Sequence, residues 1–387
     1  PPRSSDSGGF AAIVTGARTG IGRAVAARLA RRGATVHVVC RTLAEARGVR
    51  DEIILERPGA RLVPHGVDLA RLRDIRAFSA ALGDDGTERK APDGTRSPRP
   101  RPRPRLLVHC AGAMAARWRR GDAAWDDEDE DGGGGKDGDP EDASGWERVA
   151  AVNARAPAML TETLLAANAL ARPARVVFVG SFTHRAAFPG DQDRWFDDAA
   201  AVSRENNDPS SRRRRARRGG GGLSSGGGGS SSLSPRRRRR PPRDTTTMSP
   251  AASYACSKAA VTAYALGRTA AGECDCIVWD PGLVDTDLAR EWPRALRGLY
   301  VGVAKRVGLM VPPAAVADAA WAAAAAIDPG EVRRAGGCYA YGTRCVAMKP
   351  GGRAREPSAM KRATAFLAAA SGNNGVGGSD PPERGRV

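Results

Sequence analysis

Aromatic side chains are scarce in this chain, at 5% of its 387 residues, and only four histidines occur. Cysteine is present but unpatterned. Seven residues lie at 40, 110, 256, 274, 276, 338 and 345, with no CxxC and no Cys/His pair at ligand spacing. An odd, scattered set argues against a disulfide framework or a zinc site, so no metal is expected. A reducing intracellular setting is the simpler reading. The chain starts at Pro1 rather than methionine, and the compartment itself stays open. Cys274 and Cys276 flank one residue of a strand-like run and are expected to pack on one face. No apolar run reaches about 18 residues, so no transmembrane helix is expected.

Acidic charge is also short, with 43 Asp and Glu against 61 Lys and Arg and a net charge of +18. Such an excess ordinarily points to nucleic acid or an anionic surface. Here it is confined to runs of five, six and six arginines at 96–105, 212–218 and 236–243. The runs lack interleaved aromatics and the remainder is close to neutral, so no specific nucleic-acid partner is expected.

Apolar residues are few in three segments: the Pro/Arg-rich 84–105, the acidic and Gly-rich 119–145 with "DDEDEDGGGGKDGD", and the Arg/Gly/Ser-rich 190–250. None buries enough to offset its ordering entropy, so all three are expected to be disordered insertions in a single domain over 8–350. The tail, 368–387, reads the same way. Between them, apolar runs at 10–16, 34–40, 60–67, 105–112, 174–181, 274–282 and 337–342 read as buried strands. Helical stretches fall at 20–33, 42–57, 70–82, 146–171, 252–271 and 313–328. This alternation predicts an α/β fold, a doubly wound parallel sheet of about seven strands, with ligands beyond the strands' carboxyl ends.

The chemistry-bearing residues fall at those ends. "TGARTGIG" carries Gly16, Gly20 and Gly22 between the first strand and a helix, where backbone N–H groups can cradle a pyrophosphate. The second strand ends in Cys40 and Arg41, with no carboxylate for a ribose, and a guanidinium there suits a 2′-phosphate. That favours NADP(H) over NAD(H). "SYACSKAA" places Tyr254 and Lys258 one helical turn apart. A cation there would stabilise a phenolate and make an otherwise poor base useful near neutral pH.

With "VDL" (67–69), "HCAG" (109–112), "VNARAP" (152–157), "VGSFTH" (179–184) and "DPGLVDTDL" (280–288), the ordered set resembles the short-chain dehydrogenase/reductase family. "VVCRT", "SFTH" and "GGCYAYG" are most similar to its retinol-dehydrogenase-like members. The resemblance implies a Rossmann-type fold. It implies a catalytic Ser181, Tyr254 and Lys258 organised by Asn153, with Tyr254 as general acid/base and Asn153 tethering Lys258. It implies cofactor contacts from Thr15, Gly16, Arg18, Gly20, Ile21, Gly22, Arg41, Asp68, Leu69, Ala111, Gly112, Asn153, Tyr254, Lys258, Pro281, Gly282, Val284 and Thr286. The small-molecule substrate is then a carbonyl or alcohol, and a homodimer is compatible with the family. "HCAG" departs from the family's paired asparagines, and a catalytically idle scaffold or cofactor-sensing subunit is the alternative reading.

Ser181 and Tyr254 are 73 positions apart, which a long loop can span at small entropic cost. His109 and His184 are expected to be structural. Leu283, Leu288, Trp292, Leu296, Leu299, Tyr300, Val301, Leu309 and Met310 either cover a lipophilic substrate or pack on the sheet.

Overall fold

A computed structural model describes residues 10–83, 103–114, 148–187, 190–196, 248–272, 274–289, 294–325, 338–342, 346–348, 350 and 352–368. Seven parallel strands form in chain order: β1 Ala11–Thr15, β2 Thr35–Cys40, β3 Arg61–Gly66, β4 Leu106–His109, β5 Ala174–Val179, β6 Cys274–Asp280 and β7 Cys338–Tyr341. An eighth, β8 Val346–Met348, joins antiparallel at the edge, and the spatial order is β3-β2-β1-β4-β5-β6-β7-β8. Pro64 lies in β3, an outermost strand, where a missing N–H breaks no ladder on the open side.

Helices cover both faces. On one side lie α1 Gly20–Arg31 and α2 Leu43–Glu56; on the other lies α3 Leu72–Gly83. The next helix, α4, starts as Arg148–Ala150, widens to a π turn over Ala151–Arg155 and continues as Ala156–Ala166. α5 is Pro250–Ala270, α6 Arg294–Arg306, α7 Pro313–Ala325 and α8 Pro357–Ala368. Ile13, Leu107, Val176, Phe178 and Val278 point to the α3, α4, α5 and α8 side. Val14, Val36, Val38, Val177 and Ile277 point to the α1, α2 and α7 side. Strands apolar on both faces are what a doubly covered parallel sheet requires.

Two features correct the reading of the sequence. Residues 190–196, at the start of the expected 190–250 insertion, are helical, because Trp195 and Phe196 are buried. Phe196 meets Phe366 edge-on at 5.3 Å, and Arg362 lies over the Phe196 ring while pairing with Asp193 at 2.7 Å. Helix α8 thus packs on α5 and on this segment, past the expected domain end at 350. Residues 103–105, at the end of the first expected insertion, are also described and lead into β4. Most of 84–105 and of 190–250, all of 119–145 and the tail from 369 lie outside the described residues. Cys274 and Cys276 do share a face, with sulfurs 3.3 Å apart.

The α5–α8 contact depends on a glycine. A Cβ on Gly267 would lie 2.6 Å from Thr364 Oγ1, whereas one on Gly48 in α2 would meet nothing within 4 Å. Gly267→Val should therefore destabilise the fold by about 1–3 kcal/mol. Gly48→Ala should stabilise it by about 0.4–1 kcal/mol. Chemical denaturation of both variants checks the pair of signs.

Candidate active site

The carboxyl ends of β1, β4, β5 and β6 open onto one cleft of about 1000 Å³. At its floor, Gly16 has φ +64°, a left-handed turn suited to glycine. A Cβ on Gly22 would sit 2.2 Å from the Gly16 carbonyl oxygen, so α1 starts directly against that turn. Gly20, Ile21 and Gly22 line the cleft, and the first turn of α1 holds no acidic residue. The positive end of its dipole therefore faces the cleft without a competing carboxylate. Thr15 lies beneath this loop, where its Oγ1 accepts from the Ala111 N–H at 3.4 Å and ties the end of β1 to the turn after β4.

At one end of the cleft stand Arg18, Arg41, Asp68 and Leu69. Glu45 lines the same end and was not singled out from sequence. Its carboxylate pairs with Arg18 at 3.1 Å and accepts from the Thr42 N–H, closing the capping box of α2. The Thr-x-x-Glu spacing at 42–45 was the available signal. Asp68 accepts from the Ala70 N–H at 3.0 Å, which fixes the turn after β3.

Ser181, Tyr254 and Lys258 line the opposite end, with Gly112, Pro281, Gly282, Val284 and Thr286. Ser181 leaves β5 in extended backbone, and its Oγ accepts from the Thr183 hydroxyl at 2.9 Å. Tyr254 and Lys258 sit in α5, whose N-cap Ser249 accepts from the Ala252 N–H. Lys258 Nζ donates to the Val179 carbonyl at 2.8 Å and lies 5.7 Å from the Tyr254 ring centre. Burial lowers the Lys258 pKa to about 8, opposed by the Asp280 charge.

Asn153 sits beside the cleft, inside the π turn, a geometry that often marks functional positions. Its amide grips one residue from both sides: Oδ1 accepts from the Ala113 N–H at 2.8 Å, and Nδ2 donates to the Ala113 carbonyl at 2.9 Å. Nδ2 also lies 3.3 Å from Ser257 Oγ, which donates to the Tyr254 carbonyl. Asn153 thus joins the loop after "HCAG" to the helix of Tyr254.

The replaced asparagines leave apolar packing. His109 stacks on Phe178 and bonds Thr161 Oγ1 at 3.0 Å, while burial pushes its pKa down to about 3. It is a neutral core residue. Cys110 lines the cleft as a thiol whose pKa burial raises to about 12. His184 Nδ1 donates to the Ser181 carbonyl at 2.7 Å.

Of the apolar residues after Pro281, Leu283, Leu288, Val301 and Met310 line the cleft, joined by Met114 and Phe182. Leu309 is 62% exposed and is no part of that wall. Its chain turns outward after α6, with Gly308 in the left-handed region. Trp292 and the side chains of Leu296, Leu299 and Tyr300 lie outside the described residues.

The family model for short chain dehydrogenase matches residues 11–86, the segment that builds the cradle and the Arg41 end. Over that segment the chain is similar to the short-chain dehydrogenases. Its curated relatives include retinol dehydrogenase 12 of Bos taurus, 28% identical over 176 residues, which are 46% of this chain and 44% of that protein. Dehydrogenase/reductase SDR family member 12 of Homo sapiens is 46% identical over 66 residues, 17% of this chain and 21% of that one. The chain spans less than half the length of the curated relatives it matches. A crystal structure of an uncharacterized protein from Mycobacterium Paratuberculosis shares the fold, with TM-score 0.51 and 19% identity over 94% of this chain and 93% of that one.

The Asn153 amide satisfies both polar groups of Ala113. Asn153→Ala leaves them unpaired and should cost about 1–3 kcal/mol by denaturant unfolding. Asn153→Asp, which keeps the acceptor for the Ala113 N–H but sets a second oxygen against the Ala113 carbonyl, should also lose stability. Equal stability of all three proteins would show that the amide does not hold the loop.

Proposed function

We propose that the protein transfers hydride between NADP(H) and a carbonyl or alcohol, with Tyr254 as general acid/base and a lipophilic substrate. The observation that carries this reading is one cleft lined by both the glycine cradle and the Ser181, Tyr254 and Lys258 side chains. The residues fit a dinucleotide. The N-terminus of α1, lacking acids in its first turn, suits the pyrophosphate, and Asp68 suits the adenine end. Arg41, exposed where β2 ends, suits a 2′-phosphate. Arg41 directly follows the end of β2 and lines the cleft, so we assign the phosphate contact to it first.

The nicotinamide, when bound, supplies or accepts the hydride. The protein handles the proton and the developing charge. In reduction, Tyr254 gives its hydroxyl proton to the carbonyl oxygen as that oxygen becomes an alkoxide; in oxidation the phenolate takes it back. Lys258, a cation below about pH 8, favours the phenolate through its charge and lowers the cost of either transfer. The Ser181 hydroxyl donates to the substrate oxygen as negative charge grows there. Met114, Leu283, Leu288, Val301 and Met310 form an apolar wall that excludes water from the reacting carbon.

NADPH consumption, followed by absorbance against medium-chain aldehydes and apolar ketones, tests the reading. Turnover by the wild type is expected to fall about 10²–10⁴-fold in Tyr254→Phe, with NADPH affinity nearly unchanged. NADPH binding without turnover of any carbonyl would favour the idle-scaffold reading.

A further inference from the structure

Asp280 is a buried carboxylate that the reaction above does not use. It ends β6 and is 1% exposed. The cleft wall passes through Pro281, Gly282 and Lys258 and leaves it behind. Both oxygens are fixed: Oδ1 accepts from the Gly282 N–H at 2.9 Å and Oδ2 from the Tyr339 hydroxyl at 2.7 Å. Two neutral hydrogen bonds do not compensate a carboxylate taken out of water, so a site like this needs a cation nearby.

Strand register places the residue before Asp280 beside the residue whose carbonyl holds Lys258. Val179 of β5 pairs with Trp279 of β6, and the Val179 carbonyl accepts from Lys258 Nζ at 2.8 Å. Asp280 follows Trp279 directly, and the Gly180 N–H donates to the Trp279 carbonyl at 2.7 Å, holding the two strand ends together. We propose that Asp280 is a positioning residue that keeps Lys258 in its ammonium form, an assignment resting on the Tyr254–Lys258 reading above.

The groups around the pair leave this task to Asp280. Burial lowers the Lys258 pKa most; the charges that oppose it are those of Asp280 and Cys110. Burial raises Cys110 to about 12, so near neutral pH it is a thiol without charge. The Tyr254 ring is the remaining neighbour, 5.7 Å from Nζ. On the far side of Asp280, burial and the carboxylate keep the Tyr339 hydroxyl protonated, so it donates to Asp280 and brings no charge. Burial holds the His184 imidazole below its ordinary pKa, and the exposed Arg185 acts on both Tyr339 and His184. A lysine is charged below its pKa and neutral above it. Without the Asp280 charge, desolvation of Lys258 goes unopposed and its transition moves to lower pH.

The direct test is trace acetylation of Lys258 in the full chain across pH, quantified by mass spectrometry without cofactor. The wild-type midpoint should lie near pH 8. In Asp280→Asn it should fall by about one pH unit or more, and Asp280→Glu should return it toward the wild-type position. Asp280→Ser gives the same comparison if the Asn variant does not fold. The alkaline limb of kcat for carbonyl reduction should shift in parallel. A merely structural Asp280 would lower stability in the neutral variants and leave the Lys258 midpoint in place, and that result would overturn the proposal. The midpoint decides this assignment even if the wild type reduces no carbonyl, an outcome that counts against the catalytic reading alone.

Discussion

Parallel pairing in register places the ends of β1, β4, β5 and β6 side by side, and the turns that leave this edge line the cleft. The glycine turn leaves β1, the Ala111–Gly112 turn leaves β4, Ser181 follows β5, and Pro281–Gly282 follows β6. Because each strand is apolar on both faces, a shift in pairing would send buried residues to the wrong layer, so the edge is fixed by the core. Contacts between the turns complete it. Thr15 reaches Ala111, Asn153 clasps Ala113, and the Gly180 N–H bonds the Trp279 carbonyl.

On that frame, charge is placed sparingly. Lys258 is buried with its ammonium on a backbone carbonyl, and the nearby acid is itself anchored by a backbone N–H and a tyrosine. The histidines contribute packing more than charge: His109 stacks on Phe178, and His184 braces the turn of Ser181. The opposite end of the cleft is wetter and richer in charge, with Arg18 held by Glu45 and Arg41 exposed. One cleft thus has a charged, exposed end at Arg18 and Arg41 and a buried end at Tyr254 and Lys258.

Much of this was legible in the sequence because the signals are local. Continuous apolar runs announce doubly covered strands, and glycines between strand and helix announce a cradle. Spacing puts Tyr254 and Lys258 on one helix face, and the order of the other motifs around them suggested their role. What was missed depends on contacts between distant segments. Residues 190–196 look polar, yet Trp195 and Phe196 fold them against α8 through Phe366 and Arg362. The π turn around Asn153 leaves no mark in composition, since its extra residue is set by what the amide must reach. In the sequence Asp280 falls within a strand-like run and is not singled out, and only pairing of β5 with β6 places its neighbour Trp279 beside the residue whose carbonyl holds Lys258. Leu309 was grouped with the apolar wall by hydropathy, but the chain turns it to solvent.

The most direct test of the account is a fluorescence titration of the purified protein with NADPH and, in parallel, NADH. The account predicts tight NADPH binding, much weaker NADH binding, and a loss of most of that preference in Arg41→Ala. Equal binding of both cofactors, unaffected by Arg41→Ala, would contradict the assignment of Arg41. Binding of neither would contradict the cradle itself and the hydride chemistry built on it.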